Sequence, residues 1–310
     1  MTSPITHLDL RDFTNGGPAQ KQAFVSSLMT GLKRYGFLTL SGHGVDPQLL
    51  RQSYHVSAAF FALPEAEKRR YAGALRGYTP FGTEHAKDHA APDLKEFWQI
   101  GHEASEAGAG PAGAQPNIWP DRPAGFRETF ETLFNRLFET GRQLLGAIAL
   151  GLELEEDYFD TRIRNGTSLL RLLHYPPVPE GVDPACIRAA AHEDINLITL
   201  LVAAEGSGLE LLDRDGNWLA VENAADHLVI DTGDMMARLT NGVLPATTHR
   251  VVNPSGPNVS RYSMPFFVQP RMDVSLACLP SCRDVRPPEP DISAGDFLNQ
   301  RLKEIGLPEA

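Results

Sequence analysis

The sequence predicts an α+β fold: a helix-rich first half, then short antiparallel strands in a sandwich or jelly roll. Two observations carry this. From Ser168 onward, short apolar runs alternate with turn-forming clusters, the rhythm of layered antiparallel sheets. Ahead of them, two long segments carry apolar residues at helical spacing. The 310 residues, 42% hydrophobic and 22% charged, are ordinary for a globular protein and suffice for a sizeable core.

Residues 7–10 alternate weakly and read as a short strand. Residues 18–35 set Phe24, Val25, Leu28, Met29 and Leu32 at helical spacing. Residues 36–40 form a strand, stopped by Ser41-Gly42-His43-Gly44, where His43 reads as a turn residue rather than a ligand. A helix starts at Asp46-Pro47, with Asp as cap and Pro in its first turn, and runs towards Leu63. Residues 64–68 begin another short helical piece. Residues 76–82 are turn-rich, and 84–89 read as a loop near an active-site mouth. Its His85 and His89 stand four apart, but Ala86 occupies the place of the Glu in the zinc-protease pattern. Residues 95–100 form a strand, and 101–121, rich in Gly, Ala and Pro, a loop. Residues 123–152 make the longest helix, whose apolar stripe is core packing that backs a sheet.

The later strands are 169–175, 195–203, 209–213, 218–221, 228–231 and 235–240, followed by those around His249 and Arg261. Arg214-Asp215-Gly216-Asn217 is a hairpin turn, and Thr232-Gly233-Asp234 a second turn. The tail from Pro287 ends in a helix between Asp296 and Ile305.

Bulk properties exclude several partners. A formal charge of −11 argues against binding nucleic acid or an anionic membrane. No stretch has the length of a transmembrane helix, and residues 1–10 lack a secretory pattern. Cys186, Cys278 and Cys282 cannot all pair, so reduced thiols and a cytoplasmic location are expected. Cys278 and Cys282 lack the further Cys or His that a metal pair needs.

The chemistry concentrates at His192-Glu193-Asp194, which opens the run 195–203, seven of whose nine residues are apolar. On a strand, side chains two apart share a side. His192 and Asp194 therefore reach one metal together, while Glu193 points away. His249, in the strand-like run 246–252, is the candidate third ligand. Two histidines and a carboxylate leave positions open for substrate and oxygen, the ligand set of non-heme Fe(II) oxygenases. Beyond His249, Arg261 and Ser263 form another i, i+2 pair on the strand 260–268. A guanidinium fork and a hydroxyl on one face suit a carboxylate.

In order and spacing, His-x-Asp, a distal His and Arg-x-Ser resemble the 2-oxoglutarate/Fe(II) dioxygenases, in their isopenicillin N synthase-like branch. Tyr35-Gly36-Phe37 and Gly42-His43-Gly44 resemble the N-terminal region of the same family. The resemblance implies a double-stranded β-helix, a jelly roll with a metal at its open mouth. It implies one oxygenase domain over 1–310: helix-rich to 165, core over 166–286, tail from 287. It also implies that His192, Asp194 and His249 hold Fe(II). 2-Oxoglutarate then chelates the iron through its keto-acid end, with its far carboxylate on Arg261 and Ser263. Tyr175, in the family's Tyr-Pro position, adds its hydroxyl to that grip. Many plant relatives carry Asn two residues earlier; Leu173 stands there in this chain, so that contact is absent or replaced. Molecular oxygen takes the remaining position, and decarboxylation to succinate and carbon dioxide drives hydroxylation, desaturation or ring closure of a small molecule. Retention of Asp194 argues against the halogenating relatives. Variable loops supply substrate contacts in this branch, which points to Tyr78, Phe81, Phe97 and the 186–190 approach.

Two other readings stay open at this stage. In isopenicillin N synthase a matching Arg-x-Ser grips the substrate's own carboxylate and no 2-oxoglutarate is used. A non-catalytic jelly-roll protein that keeps a metal for structure is the other, though open positions fit catalysis better than a closed structural site.

Overall fold

The first half of the chain runs β1 (His7–Asp9), α1 (Arg11–Thr14), α2 (Pro18–Tyr35), β2 (Phe37–Ser41), α3 (Pro47–Phe61), α4 (Glu65–Lys68), β3 (Gly77–Thr79), β4 (Glu96–Gly101) and α5 (Phe126–Gly151). Then come α6 (Asp160–Ile163), β5 (Leu169–Tyr175), β6 (Ala189–His192), β7 (Ile198–Glu205), β8 (Leu209–Leu212), β9 (Trp218–Ala220), β10 (Leu228–Thr232), α7 (Asp234–Leu239), β11 (His249–Val251), β12 (Arg261–Val268) and α8 (Ala294–Glu304). This is a computed structural model, and it describes residues 5–73, 75–84, 91–103, 116–183, 185–205, 207–222, 224 and 226–304. His85, His89 and most of the loop after Gly101 lie outside the described residues, as does Ile305.

Eight strands form one sheet in the order β1-β2-β10-β7-β12-β5-β4-β3, and four form a second in the order β6-β11-β8-β9. Strands from the helix-rich half thus complete the large sheet. Strand alternation gives that sheet two different faces. Leu170 and Leu172 on β5, Leu200 and Val202 on β7, and Met264, Phe266 and Val268 on β12 enter the main core. Phe134 of α5 packs edge-on against Phe266, ring centroids 5.0 Å apart, so the longest helix backs the sheet as its stripe predicts. The residues between them, Arg171, Leu173 and Tyr175 on β5 and Arg261, Ser263 and Phe267 on β12, line a cavity.

Local signals account for most boundaries. Asp46 caps α3 by accepting from the Gln48 N–H at 2.7 Å, with Pro47 as the first helical residue. The Asp-Gly hairpin joins β8 to β9, with Asp213 accepting from the Asp215 and Asn217 N–H groups. His43 holds its turn, its Nδ1 accepting from the Val45 N–H at 3.2 Å.

Four expectations need correction. Residues 76–82 are not simply a turn: Gly77–Thr79 is a strand, because Tyr78 is fully buried and its neighbours pair with β4. Asp194 is not on a strand, since β6 ends at His192 and β7 begins only at Ile198. Residues 235–240 are not a strand: Asp234–Leu239 is a helix that buries Met235, Met236 and Leu239, one apart and three apart along the chain. The long helix starts at Phe126, behind Gly125 in the left-handed region, φ 77°.

A buried ionic cluster ties α4 to the sheet. Glu96 accepts from Lys68 Nζ at 2.6 Å, from His174 Nδ1 at 2.7 Å and from the Tyr78 hydroxyl. Burial alone would raise its pKa; the bonds from His174, Lys68 and Tyr78 outweigh that and hold it below the ordinary value. Removing one partner of such a pair strands the other charge. Glu96→Ala is therefore expected to cost about 3–5 kcal/mol of unfolding free energy in urea denaturation. A loss too small to resolve would mean that Glu65, 3.5 Å from Lys68, takes over the pairing.

Candidate active site

β6 and β11 pair antiparallel, and their register sets His249 opposite His192. The two ring centroids lie 4.4 Å apart. Asp194 enters from the bend after β6, its Oδ1 3.9 Å from Nε2 of His192 and 3.9 Å from Nε2 of His249. One ligand atom from each lies within 4.8 Å of the others, the only such His/Cys/Asp/Glu group among the described residues.

The bend is held from outside. At the start of α7, Asp234 N–H donates to Asp194 O at 2.8 Å and Met235 N–H to Asn196 O at 3.0 Å. A Cβ on Gly233 would stand 2.3 Å from Asn196 Oδ1 and 2.6 Å from Asp194 O, so a glycine is required at this approach. The helix α7, where the sequence suggested a strand, is what fixes the backbone of Asp194.

The imidazoles are oriented by the chain as well. His192 Nδ1 bonds Ala190 O at 2.7 Å, and His249 Nδ1 bonds Thr247 O at 3.1 Å. A carbonyl only accepts, so each proton sits on Nδ1 and each Nε2 lone pair faces the centre. Burial, then the neighbouring His249, push His192 down to about 4, so the ring is neutral at pH 7. Asp194 Oδ2 accepts from the Thr199 hydroxyl, which itself accepts from Asn196 Nδ2 at 2.8 Å. Asp231 faces Thr199 across β10 and β7, and burial followed by the charge of Asp194 raises its carboxyl well above the ordinary range. Two imidazole Nε2 atoms and one anchored carboxylate oxygen, bordering open space, suit Fe(II) with free coordination positions.

That open space is a cavity of about 1110 Å³ between the two sheets, reaching from the triad to Arg261, Ser263 and Tyr175. Arg261 pairs with Tyr175 in the β12–β5 register, and its Cζ lies 5.1 Å from the Tyr175 ring centroid. Arg261 is 2% exposed, yet its Nε and Nη1 have no hydrogen-bond partner. A buried guanidinium stays charged, so these orphaned donors mark a place for an anion.

The three expected substrate contacts fare differently. Phe97 lines the cavity beneath Arg171, whose Cζ is 4.3 Å from the Phe97 ring centroid. Tyr78 borders the cavity, but its ring packs edge-on to Phe60 in the core and its hydroxyl is committed to Glu65 and Glu96. Phe81, in the turn beyond β3, is 37% exposed and is not among the described residues that line the cavity. In the 186–190 approach, Ala189 lines the cavity and Arg188 is buried, donating from Nη2 to Val259 O at 2.6 Å. Leu173 lines the wall where many plant relatives carry Asn.

Sequence reasoning missed a charged wall. Arg171 donates from Nη2 to Gln99 Oε1 at 2.9 Å and stands 3.3 Å from Glu84. Lys95 bridges Glu84 at 2.7 Å and Asp93 at 2.8 Å. Burial would raise Glu84, but Arg171 and Lys95 hold it at about 2. Strand period offered a signal for Arg171, four residues from Tyr175 and so on its face. Nothing in the sequence marked Thr199.

Comparison with known proteins meets this geometry. The pattern of the 2OG-Fe(II) oxygenase superfamily matches residues 166–270, and that of the non-haem dioxygenase in morphine synthesis N-terminal region matches residues 5–122. A 2-oxoglutarate-Fe(II) type oxidoreductase of Emericella nidulans is 32% identical, over 96% of this chain and 89% of the relative. The chain belongs to the 2OG-Fe(II) oxygenases. A proline hydroxylase of Petromyces alliaceus is 33% identical over 89% of this chain and 90% of its own. A Caulobacter crescentus protein assigned to the 2OG-Fe(II) oxygenase family superposes with a TM-score of 0.88 at 41% identity, covering 98% of this chain and 100% of that one. A Neurospora crassa protein crystallised with alpha-KG and thymine superposes at 0.87, with 28% identity and 96% of both chains covered. This oxygenase is accordingly a 2-oxoglutarate- and Fe(II)-dependent dioxygenase that couples decarboxylation of its cosubstrate to oxidation of a small molecule. The cosubstrate-free and non-catalytic readings fall away.

Thr199→Val keeps the shape of the side chain and deletes the bond to Asp194. Loss of such a supporting bond lowers metal affinity roughly 10–100-fold. Competition with a coloured chelator should show that loss in the oxygenase; an unchanged Fe(II) affinity would mean Thr199 only fills space.

Proposed function

We propose that His192, Asp194 and His249 hold Fe(II), and that Arg261, Ser263 and Tyr175 bind the far carboxylate of 2-oxoglutarate. The two facing sheets are read as a double-stranded β-helix, within one oxygenase domain over 1–310. Its helix-rich region runs to 165, its core over 166–286 and its tail from 287. The observation that carries the reading is the pair of orphaned donors on Arg261, deep in the cavity that the triad also borders. Ser263 is 3% exposed and shares its face, two residues on. The unpaired thiols Cys186, Cys278 and Cys282 fit a reducing, cytoplasmic setting.

The chain's own residues then act mainly by position and charge. Bound Fe(II) with 2-oxoglutarate supplies the activation of oxygen. Arg261 would fix the cosubstrate's orientation by gripping the end remote from the metal, leaving the keto-acid end free to meet the triad. Thr199 and Asn196 keep Asp194 from swinging away. Leu173, Leu201 and Phe97 surround the route between grip and metal with apolar surface, which strengthens each charged contact there by excluding water. The substrate is a small molecule held on the outer part of the cavity, against the polar wall of Arg171, Gln99 and Glu84.

His192→Ala is expected to abolish both the slow, substrate-free conversion of 2-oxoglutarate to succinate and the anaerobic visible band of a keto acid chelating Fe(II). Iron-loaded wild type lacking band and succinate alike would defeat the assignment of these residues. Arg261→Lys keeps the charge but loses the planar pair of donors, so 2-oxoglutarate affinity should drop roughly tenfold while Fe(II) affinity holds. Equal affinity of the lysine variant for 2-oxoglutarate, by calorimetry, would remove Arg261 from the grip.

A further inference from the structure

Arg261 is not the only arginine of the cavity with an unpartnered donor. Among the described residues that line it, Arg76 Nε and His102 Nε2 are also shielded from solvent and hydrogen-bonded to nothing. Arg301 Nε differs, since Asp234 Oδ2 stands 3.3 Å away.

The Arg76 guanidinium lies flat over Gly101, the last residue of β4. A Cβ built on Gly101 would stand 2.1 Å from Nη2, 2.4 Å from Cζ and 2.6 Å from Nε. Any other residue there would evict the guanidinium. Nη1 is anchored on Leu75 O at 2.8 Å. That leaves the Nε–Nη2 edge, which can meet a carboxylate with two parallel bonds. No acidic group among the described residues answers it, and the only influence on its pKa is burial, which lowers it. His102 stands beside it, edge-on to Phe134 at 4.9 Å and Phe138 at 5.0 Å. Burial, then the charge of Arg76, push His102 down to about 4. At pH 7 it is a neutral hydrogen-bonding group and adds no second charge.

Arg76 and Arg261 belong to different ends of one wall. Gly101 pairs with Leu169 and Arg261 with Tyr175, six residues apart along β5 (175 − 169), or roughly 20 Å at the rise of a strand. A single row of paired residues crosses the sheet from Gly101 through Leu169 and Phe267 to Thr199, which holds Asp194. Those three strand spacings span roughly 14 Å. A five-carbon diacid anchored on Arg261 and the metal does not extend to Arg76. Between the two ends, Arg171 is answered by Gln99 and Glu84, and Lys95 by Glu84 and Asp93. Among the described residues of the wall, Arg76 is the cation with an unpartnered donor at the Gly101 end.

We infer that Arg76, assisted by His102, is the subsite for an anionic group of the primary substrate. The substrate is then a small organic acid whose carboxylate lies several bonds from the carbon that is oxidised. This inference rests on the proposed reading of the metal centre. A carboxylate seated there restores charge balance to Arg76 and leaves the rest of the molecule to run along the wall towards the triad.

The test is calorimetric titration of full-length protein loaded anaerobically with Fe(II) and 2-oxoglutarate. The probes are hexanoate, octanoate and 3-phenylpropanoate, each paired with its primary amide. A charge-assisted contact is worth on the order of 1.5–3 kcal/mol, so at least one acid should bind roughly tenfold or more tightly than its amide. Arg76→Gln should erase that preference and Arg76→Lys should keep part of it, with 2-oxoglutarate affinity changed less than about twofold in both. Acids bound no better than amides by the wild type would overturn the subsite without any variant. So would a preference that survives in an Arg76→Gln protein that binds 2-oxoglutarate normally. Wild type unable to bind 2-oxoglutarate at all would instead overturn the metal-centre reading, and the subsite with it.

Discussion

The pairing of His249 with His192 across β11 and β6 is the constraint on which the site depends. A one-residue slip would turn one imidazole to the opposite face, since side chains alternate along a strand. The segment before β11 is therefore pinned at several points. Thr247 Oγ1 donates to Tyr35 O at 2.7 Å, and Thr232 Oγ1 to Pro245 O at 2.6 Å. Both anchors belong to the large sheet or the helix that feeds it, so the small sheet inherits its register from the large one. Phe37 of β2 then packs edge-on to His249, ring centroids 5.6 Å apart.

The large sheet separates stability from chemistry by alternation alone. On β12, Met264, Phe266 and Val268 face the helices, while Arg261, Ser263 and Phe267 face the cavity. β5 and β4 repeat the division with Leu172 against Arg171, and Trp98 against Gln99. Charged groups can gather on the inner face because each strand already buries a full apolar row on the other. Most of these charges are paired within the wall, which limits the cost of enclosing them.

The sequence marked the proposed ligand set, the proposed carboxylate grip and the long backing helix, because each rests on local period or spacing. His249, Arg261, Ser263 and Tyr175 lie on strands whose apolar rhythm is visible, whereas His192 ends β6, a four-residue strand that the sequence did not mark. Asp194 was reached through a wrong premise. It shares the site with His192 because α7 and Gly233 fold a bend around it, not because a strand continues through it. Met235, Met236 and Leu239 carry a helical spacing, but six residues are too few for period to outweigh the strand-rich setting. Glu84, Lys95 and Asp93 were invisible for another reason. Their roles come from contacts between distant parts of the chain, to Arg171 and the Ala190 backbone, and a charged residue in a loop or at a strand end gives no sign of facing inward. Phe81 shows the converse case, an aromatic residue whose exposure its composition does not announce.

The unpaired cations also bear on stability. A buried guanidinium without an acceptor destabilises the free chain, and whatever anion binds there returns that free energy on binding. Ligand at a hundred times its dissociation constant adds about 2.7 kcal/mol to folded-state stability. An anion bound at Arg261 would also offset its repulsion of Arg188, which is buried beside it with its own Nε unpartnered. Such a site is poised for its ligand because its charges are fixed in advance by backbone contacts, as Val259 O fixes Arg188.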